Sequence, residues 1–419
     1  MKKILFITYF WPPSGKASLH WPLDVIRHLP KEEIEPIILT VKDETFTQKD
    51  ESLLKKIDPA WTILRSKALE PFDIYRFFIG KKKNEKLIAS ETISTENKNI
   101  SHKISLWIRL NLFIPDARIG WYFTAKKTAS EYMRRNKIDA VVSIGPPHSS
   151  HLIGLHLSKQ FQVPHFPVLI DPWVDIIYYK NLKRSFITKA IDNYLEKSVI
   201  SNAKKVVFVN KSTEEDYQSK YPVLKGKSKV LYWGYDEDDF RGIEYHKSGS
   251  EEKSIVHAGN IFSYQNPKNF FKQIKSEINK GNNYKIRFIG TVDPQVVNFL
   301  NEIGLQANFE LLGFLPYNEM IKLILEADLL LVCSSEPRHV PGKLFEAIRT
   351  GNPIIAFGNN NEEVKQIITE ANAGMMFNYE ESGEILLSEI NHFKPDYDFA
   401  KKFSREQISK EFKDLLIQD

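Results

Sequence analysis

The chain has 419 residues, a net charge of +5 and a single cysteine, Cys333. This length predicts two domains, each with a sizeable core. Charged residues make up 26% of the chain and hydrophobic residues 42%, values that are ordinary for a globular protein and exclude a disordered, collagen-like or coiled-coil chain. One cysteine cannot form an internal disulfide, so a reducing compartment is permitted.

The first residues contain only a short apolar run, Ile4 to Ile7, which is too short for the core of a signal peptide. No uncharged apolar stretch approaches the roughly 20 residues that a membrane-spanning helix needs. The sequence therefore predicts a cytoplasmic protein, or one that lies peripherally on the inner face of the cytoplasmic membrane.

In the first half of the chain, short runs rich in Val and Ile alternate with stretches of helical periodicity. Strands are predicted at residues 4–7, 36–40, 140–143, 166–169, 206–209 and 229–232, and helices at 19–29, 151–160 and 213–220. Continuous apolar runs separated by helices are typical of a parallel sheet that is covered on both faces.

The same alternation restarts after the charged stretch 236–253, which is predicted to be a linker. Strands are predicted at residues 254–257, 286–289, 309–312, 329–333 and 353–357, and one amphipathic helix at 399–418. The pattern indicates two doubly wound, Rossmann-like α/β domains, 1–240 and 250–395, that face each other across a cleft. Ligands of such sheets bind beyond the carboxyl ends of the strands.

Three loops of the first domain follow predicted strands. Gly15, beside Lys16, would let the backbone approach a phosphate at a helix start, or it serves only to make a turn. His148 could hydrogen-bond a sugar hydroxyl or act as an acid or base, although its segment could equally cap a helix. Asp171 and Trp173 offer a carboxylate and an aromatic face suited to sugars, unless Trp173 belongs to the core.

The second domain has a sharper pattern between residues 334 and 346, where a strand leads into a helix. Pro341 and Gly342 allow a close backbone approach at the helix start, where free N–H groups and Lys343 can hold a diphosphate. Glu346, one turn further, could accept hydrogen bonds from ribose hydroxyls. Because a capping motif would not need Arg338, Lys343 and Glu346 together, this pattern predicts a binding site for a diphosphate and a ribose rather than a simple helix cap.

A resemblance rests on these loops and on the order in which they occur. The segments are 9–15, 114–121, 143–151, 171–173, 234–240, 259, 313, 341–346 and 351–353. In this order they resemble the retaining GT-B glycosyltransferases of family 4, specifically the members of bacterial envelope polysaccharide synthesis.

The resemblance implies that the second domain binds a sugar nucleotide, the first an acceptor, and that the final helix, 399–419, packs back on the first domain. It implies a nucleotide-sugar donor, UDP-linked as the first choice with GDP and CMP as alternatives, and no metal or further cofactor. The acceptor would be a lipid-linked saccharide or another glycan. The implied catalytic residues are His148, Lys343 and Glu336; the donor residues are Gly15, Gly259, Asn260, Phe314, Leu315, Arg338, Pro341, Gly342, Lys343 and Glu346; and the acceptor residues are Lys16, Asp116, Asp171 and Trp173.

Three departures from the family's pattern stand out, one of which is that Val168, Leu169 and Ile170 precede Asp171 where relatives often read Asp-x-Arg. Glu346 matches the second glutamate of its E-x7-E motif, but the first would fall on Arg338, which leaves Glu336 as a replacement. The residue after Gly259, commonly basic in the family, is Asn260. Fewer positive groups than usual would therefore face the donor.

Three other functions compete with this interpretation. A metal-dependent, single-domain GT-A enzyme would use the Asp-x-Asp match at Asp236-Glu237-Asp238, which we interpret as a solvated turn in the linker. A sugar-nucleotide epimerase or hydrolase could use the same two-domain fold. The departures at Arg338 and Asn260 would suit a non-catalytic subunit of a polysaccharide assembly complex.

The segment 76–113 carries eight Lys or Arg residues against three Glu, interleaved with Trp and Phe. Such a segment suits an anionic membrane surface, although a solvated insertion would look the same. No nucleic-acid-binding motif accompanies it, so no nucleic-acid partner is expected.

Overall fold

The computed structural model describes residues 1–68, 107–176, 184–247, 249, 251–384, 387, 392–393 and 395–417. The chain divides into two compact units, Met1–Leu231 together with Ser409–Asp419, and Tyr232–Ile408. Each unit holds a parallel sheet with helices packed against it, which confirms the predicted pair of Rossmann-like α/β domains. Among the described residues, no helix combines the length and the apolar character needed to cross a bilayer.

The described residues of the first unit form a seven-stranded sheet in the order β3-β2-β1-β4-β5-β6-β7. The strands are β1 Lys2–Ile7, β2 Ile34–Val41, β3 Thr62–Ser66, β4 Ala140–Gly145, β5 His165–Leu169, β6 Val206–Phe208 and β7 Ser228–Val230. Every pairing is parallel. The central strands are apolar throughout because both of their faces are covered: residues 4–7 of β1 and all of β4 are buried.

Helices cover both faces of this sheet. Within the described residues of the first unit, the main helices are α1 His20–Arg27, α2 Trp121–Met133, α3 Ser149–Phe161, α4 Phe186–Asn202 and α5 Lys211–Lys220. One core packs Trp121 of α2 and Ile153 of α3 against β1, β2 and β4, and another packs α4 and α5 against β5 and β6.

The second unit has a six-stranded parallel sheet, among its described residues, in the order β10-β9-β8-β11-β12-β13. The strands are β8 Glu252–Ala258, β9 Asn283–Ile289, β10 Phe309–Gly313, β11 Leu329–Cys333, β12 Ile354–Phe357 and β13 Gly374–Phe377. The helices are α6 Lys268–Asn279, α7 Pro294–Glu302, α8 Tyr317–Glu326, α9 Gly342–Thr350, α10 Glu362–Glu370, α11 Tyr397–Lys401 and α12 Arg405–Ile417, whose last residues belong to the first unit.

Each sheet reverses its strand order next to its first strand. The reversal lies between β1 and β4 in the first unit and between β8 and β11 in the second. Loops on either side of such a reversal leave the sheet in opposite directions and open a crevice at its carboxyl edge. The loops that contain Gly15 and His148, and those that contain Gly259 and Glu336, leave the sheets at these reversals.

The unit boundary lies between Leu231 and Tyr232 rather than in the predicted linker 236–253. Tyr235 and Phe240 are the reason, because both are buried in the core of the second unit. The charge of this stretch suggested exposure, but its aromatic side chains anchor it.

The prediction of a single helix over 399–418 is wrong. The structure has two helices there, α11 and α12, separated at residues 402–404. Ser404 starts the second helix, because its hydroxyl accepts a hydrogen bond from the backbone N–H of Gln407 at 3.2 Å.

Candidate functional site

In the second unit, a small recess lies at the sheet reversal between β8 and β11. Apolar side chains of the two strands, including Val256 and Leu330, line it together with Lys343 and Glu346 of α9. Gly259, directly after β8, has φ +138°, a backbone conformation that residues with a side chain rarely adopt. The carboxyl edge of the sheet therefore meets the start of a helix at a point where charged side chains converge.

Helix α9 begins without a capping side chain. Its N-cap residue, Pro341, has an extended backbone and no side-chain oxygen that could accept the first N–H groups. The first N–H groups of α9 are therefore available to stabilise an anion. Close packing is a further reason for a glycine at position 342. A Cβ there would lie 2.6 Å from Cδ1 of Trp233, too close for a side chain beside this indole.

Lys343, Glu346 and Tyr317 form one cluster at this helix start. The Glu346 side chain is buried; its Oε1 accepts a hydrogen bond of 2.5 Å from the Tyr317 hydroxyl, and its Oε2 lies 2.9 Å from Lys343 Nζ. Lys343 Nζ also stands 4.8 Å from the centre of the Tyr317 ring. Burial, followed by the charge of Glu346, raises the pKa of Tyr317 well above its usual value, which keeps the hydroxyl protonated as a donor.

Sequence reasoning missed Tyr317. The only signal for it was its position at the start of α8, directly after the loop that contains Phe314 and Leu315. Phe314 is 87% exposed and Leu315 is half-buried, so the loop presents one aromatic ring to solvent.

The loop after β11 holds the two candidates for the first motif glutamate. Arg338 lies with a guanidinium nitrogen 3.7 Å from Glu336 Oε2. The amide of Asn361 fixes this loop by donating to the Glu336 carbonyl at 3.1 Å and to the His339 carbonyl at 2.8 Å. Asn361 thus anchors the backbone of this loop. That Glu336 takes the role of the first motif glutamate stays a prediction.

Asn260 occupies the position where a basic residue was expected. Its side-chain oxygen accepts a hydrogen bond of 3.0 Å from the backbone N–H of Thr291. A Cβ on Gly290 would lie 2.6 Å from the Gly259 carbonyl oxygen. Asn260 and the two glycines therefore hold the loops after β8 and β9 together.

The acidic triplet Asp236-Glu237-Asp238 is not a solvated turn. Asp236 is buried and caps a short 3-10 turn, accepting from the Asp238 N–H at 3.3 Å, while Glu237 accepts from Arg349 Nε at 2.6 Å. Because the chain has two sheets in two units, the single-domain GT-A alternative is excluded.

In the first unit, the loop after β1 is fixed by residues 48–50. Gly15 N–H donates to the Gln48 carbonyl at 3.0 Å, and Ser14 forms an antiparallel bridge with Lys49. A Cβ on Gly15 would approach the Gln48 side chain to 3.1 Å, which favours glycine at this position. Lys16 follows and is partly exposed.

His148 is buried at the start of α3 and stacks on Trp173, with ring centres 5.1 Å apart and planes 5° from parallel. Burial lowers the pKa of His148 to about 3, a shift that the nearby Pro172 backbone opposes. The ring is therefore neutral at physiological pH. A neutral imidazole can hydrogen-bond a sugar hydroxyl, but with this pKa it is a weak base.

Two predicted acceptor residues have structural functions. Asp116 caps α3, because its carboxylate accepts from the backbone N–H of Ser149 at 2.8 Å; burial raises its pKa, against the hydrogen bonds from Ser149 and Arg118. Trp173 is 1% exposed and donates from Nε1 to Asp192 at 2.7 Å, so its ring offers no accessible face here. Asp171 lies just beyond β5 and is partly exposed.

Residues 241–410 match the family model of the glycosyl transferases group 1. This stretch contains Lys343, Glu346 and Tyr317, together with the strand-end loops that surround them. No curated protein sequence matches the chain.

Solved structures of similar fold cover nearly the whole chain. Sucrose-phosphate synthase from Thermosynechococcus elongatus has a TM-score of 0.62 at 13% identity, over 99% of this chain and 98% of that one. HepE from Anabaena in complex with UDP has a TM-score of 0.64 at 10% identity over 99% of both chains, and HepE has also been solved with UDP-glucose. A UDP-N-acetylglucosamine 2-epimerase has a TM-score of 0.50 at 15% identity, over 98% and 94%. These likenesses confirm the predicted two-domain GT-B fold.

Proposed function

We propose that this chain is a retaining, metal-independent glycosyltransferase of the family 4 type that acts in bacterial cell-surface polysaccharide or glycan synthesis. The donor would be a nucleotide sugar and the acceptor a lipid-linked saccharide or another glycan at the cytoplasmic face of the membrane. The observation that carries the proposal is the cluster of Lys343, Glu346 and Tyr317 at the uncapped start of α9, inside the stretch that matches glycosyl transferases group 1.

The cluster is suited to a nucleoside diphosphate. The first N–H groups of α9 and the ammonium of Lys343 provide positive charge for the phosphates. A phosphate would compete with Glu346 for Lys343, and the Glu346 oxygen so released could accept a hydrogen bond from a ribose hydroxyl. Tyr317 would keep the other Glu346 oxygen in place throughout this exchange.

Transfer builds negative charge on the leaving phosphate. Once the donor is bound and Lys343 has turned to its phosphate, Lys343 and the helix start would already lie beside the leaving group, so they would stabilise the charge that develops there. Glu336, Arg338 and His148 remain candidates for contacts to the donor sugar, with His148 as a neutral hydrogen-bonding group.

A UDP-sugar is our first choice of donor. The support is the similar fold of HepE, whose structures hold UDP or UDP-glucose. GDP- and CMP-sugars stay alternatives, because no described contact selects a base.

A binding and turnover experiment tests the proposal. The purified chain is screened for thermal stabilisation by UDP, GDP and CMP, since a ligand stabilises the folded state in proportion to RT ln(1 + [L]/Kd). The matching nucleotide sugar is then incubated with and without a glycan acceptor and a chelator. We expect chelator-resistant transfer or slow hydrolysis, with the anomeric configuration retained.

Each competing function has its own outcome in this experiment. Interconversion of the sugar without an acceptor would indicate an epimerase, and nucleotide binding without any turnover would indicate a non-catalytic subunit. Failure of every nucleotide to stabilise the chain would contradict the proposed donor site.

A further inference from the structure

In helix α4, Phe186–Asn202, the distribution of apolar and charged side chains is the opposite of that in an ordinary surface helix. Such helices bury an apolar stripe and expose charged residues. In the first turns of α4 the arrangement is reversed: Asp192 and Glu196 are fully buried, whereas Phe186 is 86%, Ile187 69% and Tyr194 71% exposed.

The buried acids of α4 are paired. Asp192 accepts from Arg184 at 2.6 Å and from the Trp173 indole at 2.7 Å. Glu196 accepts four hydrogen bonds, from Lys220, the hydroxyls of Tyr217 and Tyr221, and the Val174 N–H. Since breaking buried ionic pairs costs several kcal/mol, these contacts fix the rotation of α4 and hold its apolar side outward.

We define the α4 outer face as the exposed side chains Phe186, Ile187, Ile191 and Tyr194, with the exposed Lys189 and Lys197. Residues 107–112 lie beside its beginning, because Asn111 Oδ1 accepts from the Ser185 N–H at 2.6 Å and from the Thr188 hydroxyl at 3.1 Å. Trp107 and Leu112 extend the apolar surface there, with exposures of 53% and 61%.

The charges on this face are of one sign. The only acids of α4 are Asp192 and Glu196, and both point inward, so its exposed charges are the two lysines. A two-fold contact between copies would bring the same face of each copy, and so like charges, together. An anionic lipid surface instead complements both the lysines and the apolar side chains.

We propose that the α4 outer face, together with Trp107 and Leu112, docks on an anionic membrane surface. Aromatic and aliphatic side chains enter the headgroup boundary while the lysine ammonium groups remain at the level of the lipid phosphates. Each apolar side chain that leaves water stabilises the bound state, so a few of them suffice for reversible attachment.

The test is co-sedimentation of the full chain with vesicles of phosphatidylcholine alone and with added phosphatidylglycerol. We expect binding to the anionic vesicles that weakens as salt rises. The variant Phe186→Ser/Ile187→Ser should lose most of the binding to anionic vesicles. The variant Lys189→Gln/Lys197→Gln should bind these vesicles severalfold more weakly and with a smaller dependence on salt. Matched controls, which should bind as wild type does, are Tyr245→Ser for an exposed aromatic residue and Lys159→Gln/Lys272→Gln for exposed lysines.

The assay needs neither donor nor acceptor, so its failure is separate from failure of the proposed glycosyl transfer. Unchanged thermal unfolding of each variant shows that a lost interaction is not a lost fold. Absence of vesicle binding by the wild type, or equal binding by Phe186→Ser/Ile187→Ser, would overturn the proposal. Self-association that this variant abolishes, without vesicle binding, would identify the face as a contact between copies and overturn it as well.

Discussion

Glu346 is a buried carboxylate whose two oxygens have different partners. Burying an ionised carboxyl is costly unless it is paired and hydrogen-bonded. Tyr317 satisfies Oε1 and Lys343 approaches Oε2, so the charge is held in one orientation beside the start of α9. The half-exposed Lys343 can leave this pair for a phosphate, whereas the Tyr317 hydroxyl stays hydrogen-bonded to Oε1.

We expect Lys343→Ala to lower turnover by about 10²–10³-fold, the usual effect of removing one group that stabilises developing charge. Nucleotide binding should weaken less, because the α9 N–H groups remain. Steady-state kinetics and nucleotide titration measure the two effects. Lys365→Ala, at an exposed lysine of α10, is the control. If Lys343→Ala turns over as fast as this control, Lys343 does not stabilise the leaving phosphate.

Tyr317→Phe removes the hydroxyl donor of Glu346 and keeps the ring beneath Lys343. An acceptor left unsatisfied in a buried site costs about 1–3 kcal/mol, so the free energy of unfolding should fall by this amount. If Tyr317 positions Glu346 for the ribose, the donor KM should rise more than kcat falls. Chemical unfolding and kinetics check both effects against Tyr245→Phe, an exposed tyrosine; lost stability with an unchanged KM would make Tyr317 purely structural.

At the scale of elements, a chain of histidines joins β4, α3 and β5 inside the first unit. The Ser143 hydroxyl lies 2.8 Å from His151 Nδ1 and 2.7 Å from His165 Nε2, and His151 packs beside His148. Burial lowers the pKa of His148 and of His165 to about 3, and burial with the neighbouring histidines lowers that of His151 well below its usual value. The three histidine rings are therefore neutral in the folded protein.

The first unit should therefore be labile to acid. A histidine whose pKa is lowered on folding contributes stability that is present above its unfolded pKa of 6.5 and is lost as the pH falls below it. At about pH 5, His148 and His165 should each lower the free energy of unfolding by about 2 kcal/mol, and His151 should lower it further.

Urea unfolding measured at several pH values between neutrality and pH 5 checks this. His165→Gln keeps a polar side chain that does not titrate, so its stability should fall less steeply with pH than that of the wild type. His246→Gln, at an exposed histidine, is the control. Parallel pH profiles for wild type and His165→Gln would show that this histidine does not titrate on unfolding.

At the scale of the whole molecule, the end of the chain completes the first unit. Residues 409–417 of α12 belong to that unit, although α12 begins in the second. The Ser409 hydroxyl donates to the Val25 carbonyl at 2.9 Å, and the buried Phe412 packs against Phe6 and Trp21. The core of the first unit therefore depends on the last residues of the chain.

We expect Phe412→Ala to destabilise the first unit by about 3–5 kcal/mol, the usual cost of removing a buried aromatic side chain. Hydrogen exchange followed by mass spectrometry should show faster exchange in β1 and α1, and unchanged exchange in β8 to β11. The exposed Asp414, replaced by Ala, serves as the control. Faster exchange spread over both units would contradict the division of the chain.

Much of the fold was predictable because its strands are local and apolar. The strand β11 was predicted with its observed ends, 329–333, and most other strands to within three residues. Two edge strands, β3 and β13, were missed. Both are short and partly exposed: β3 contains Arg65, and β13 has only three apolar residues after Gly374, so neither carries the strong signal of a buried strand.

The candidate site was predictable only in part. The spacing of Lys343 and Glu346 over one helical turn brings their side chains together, and this local geometry follows from the sequence. Tyr317 enters from another helix, 29 residues earlier, and no periodicity connects it to Glu346. Likewise, nothing local distinguished the capping Asp116 from an acceptor ligand.

By itself, the sequence determined the two α/β domains, the loops at the strand ends and the charged start of α9, because all of these depend on patterns within one or two elements. Only the tertiary structure decided that Trp173 and Asp236 are buried, that two helices rather than one end the chain, and that α4 turns its acids inward. Those features depend on which distant side chains supply partners for buried polar groups, and such pairings are set by packing rather than by local spacing.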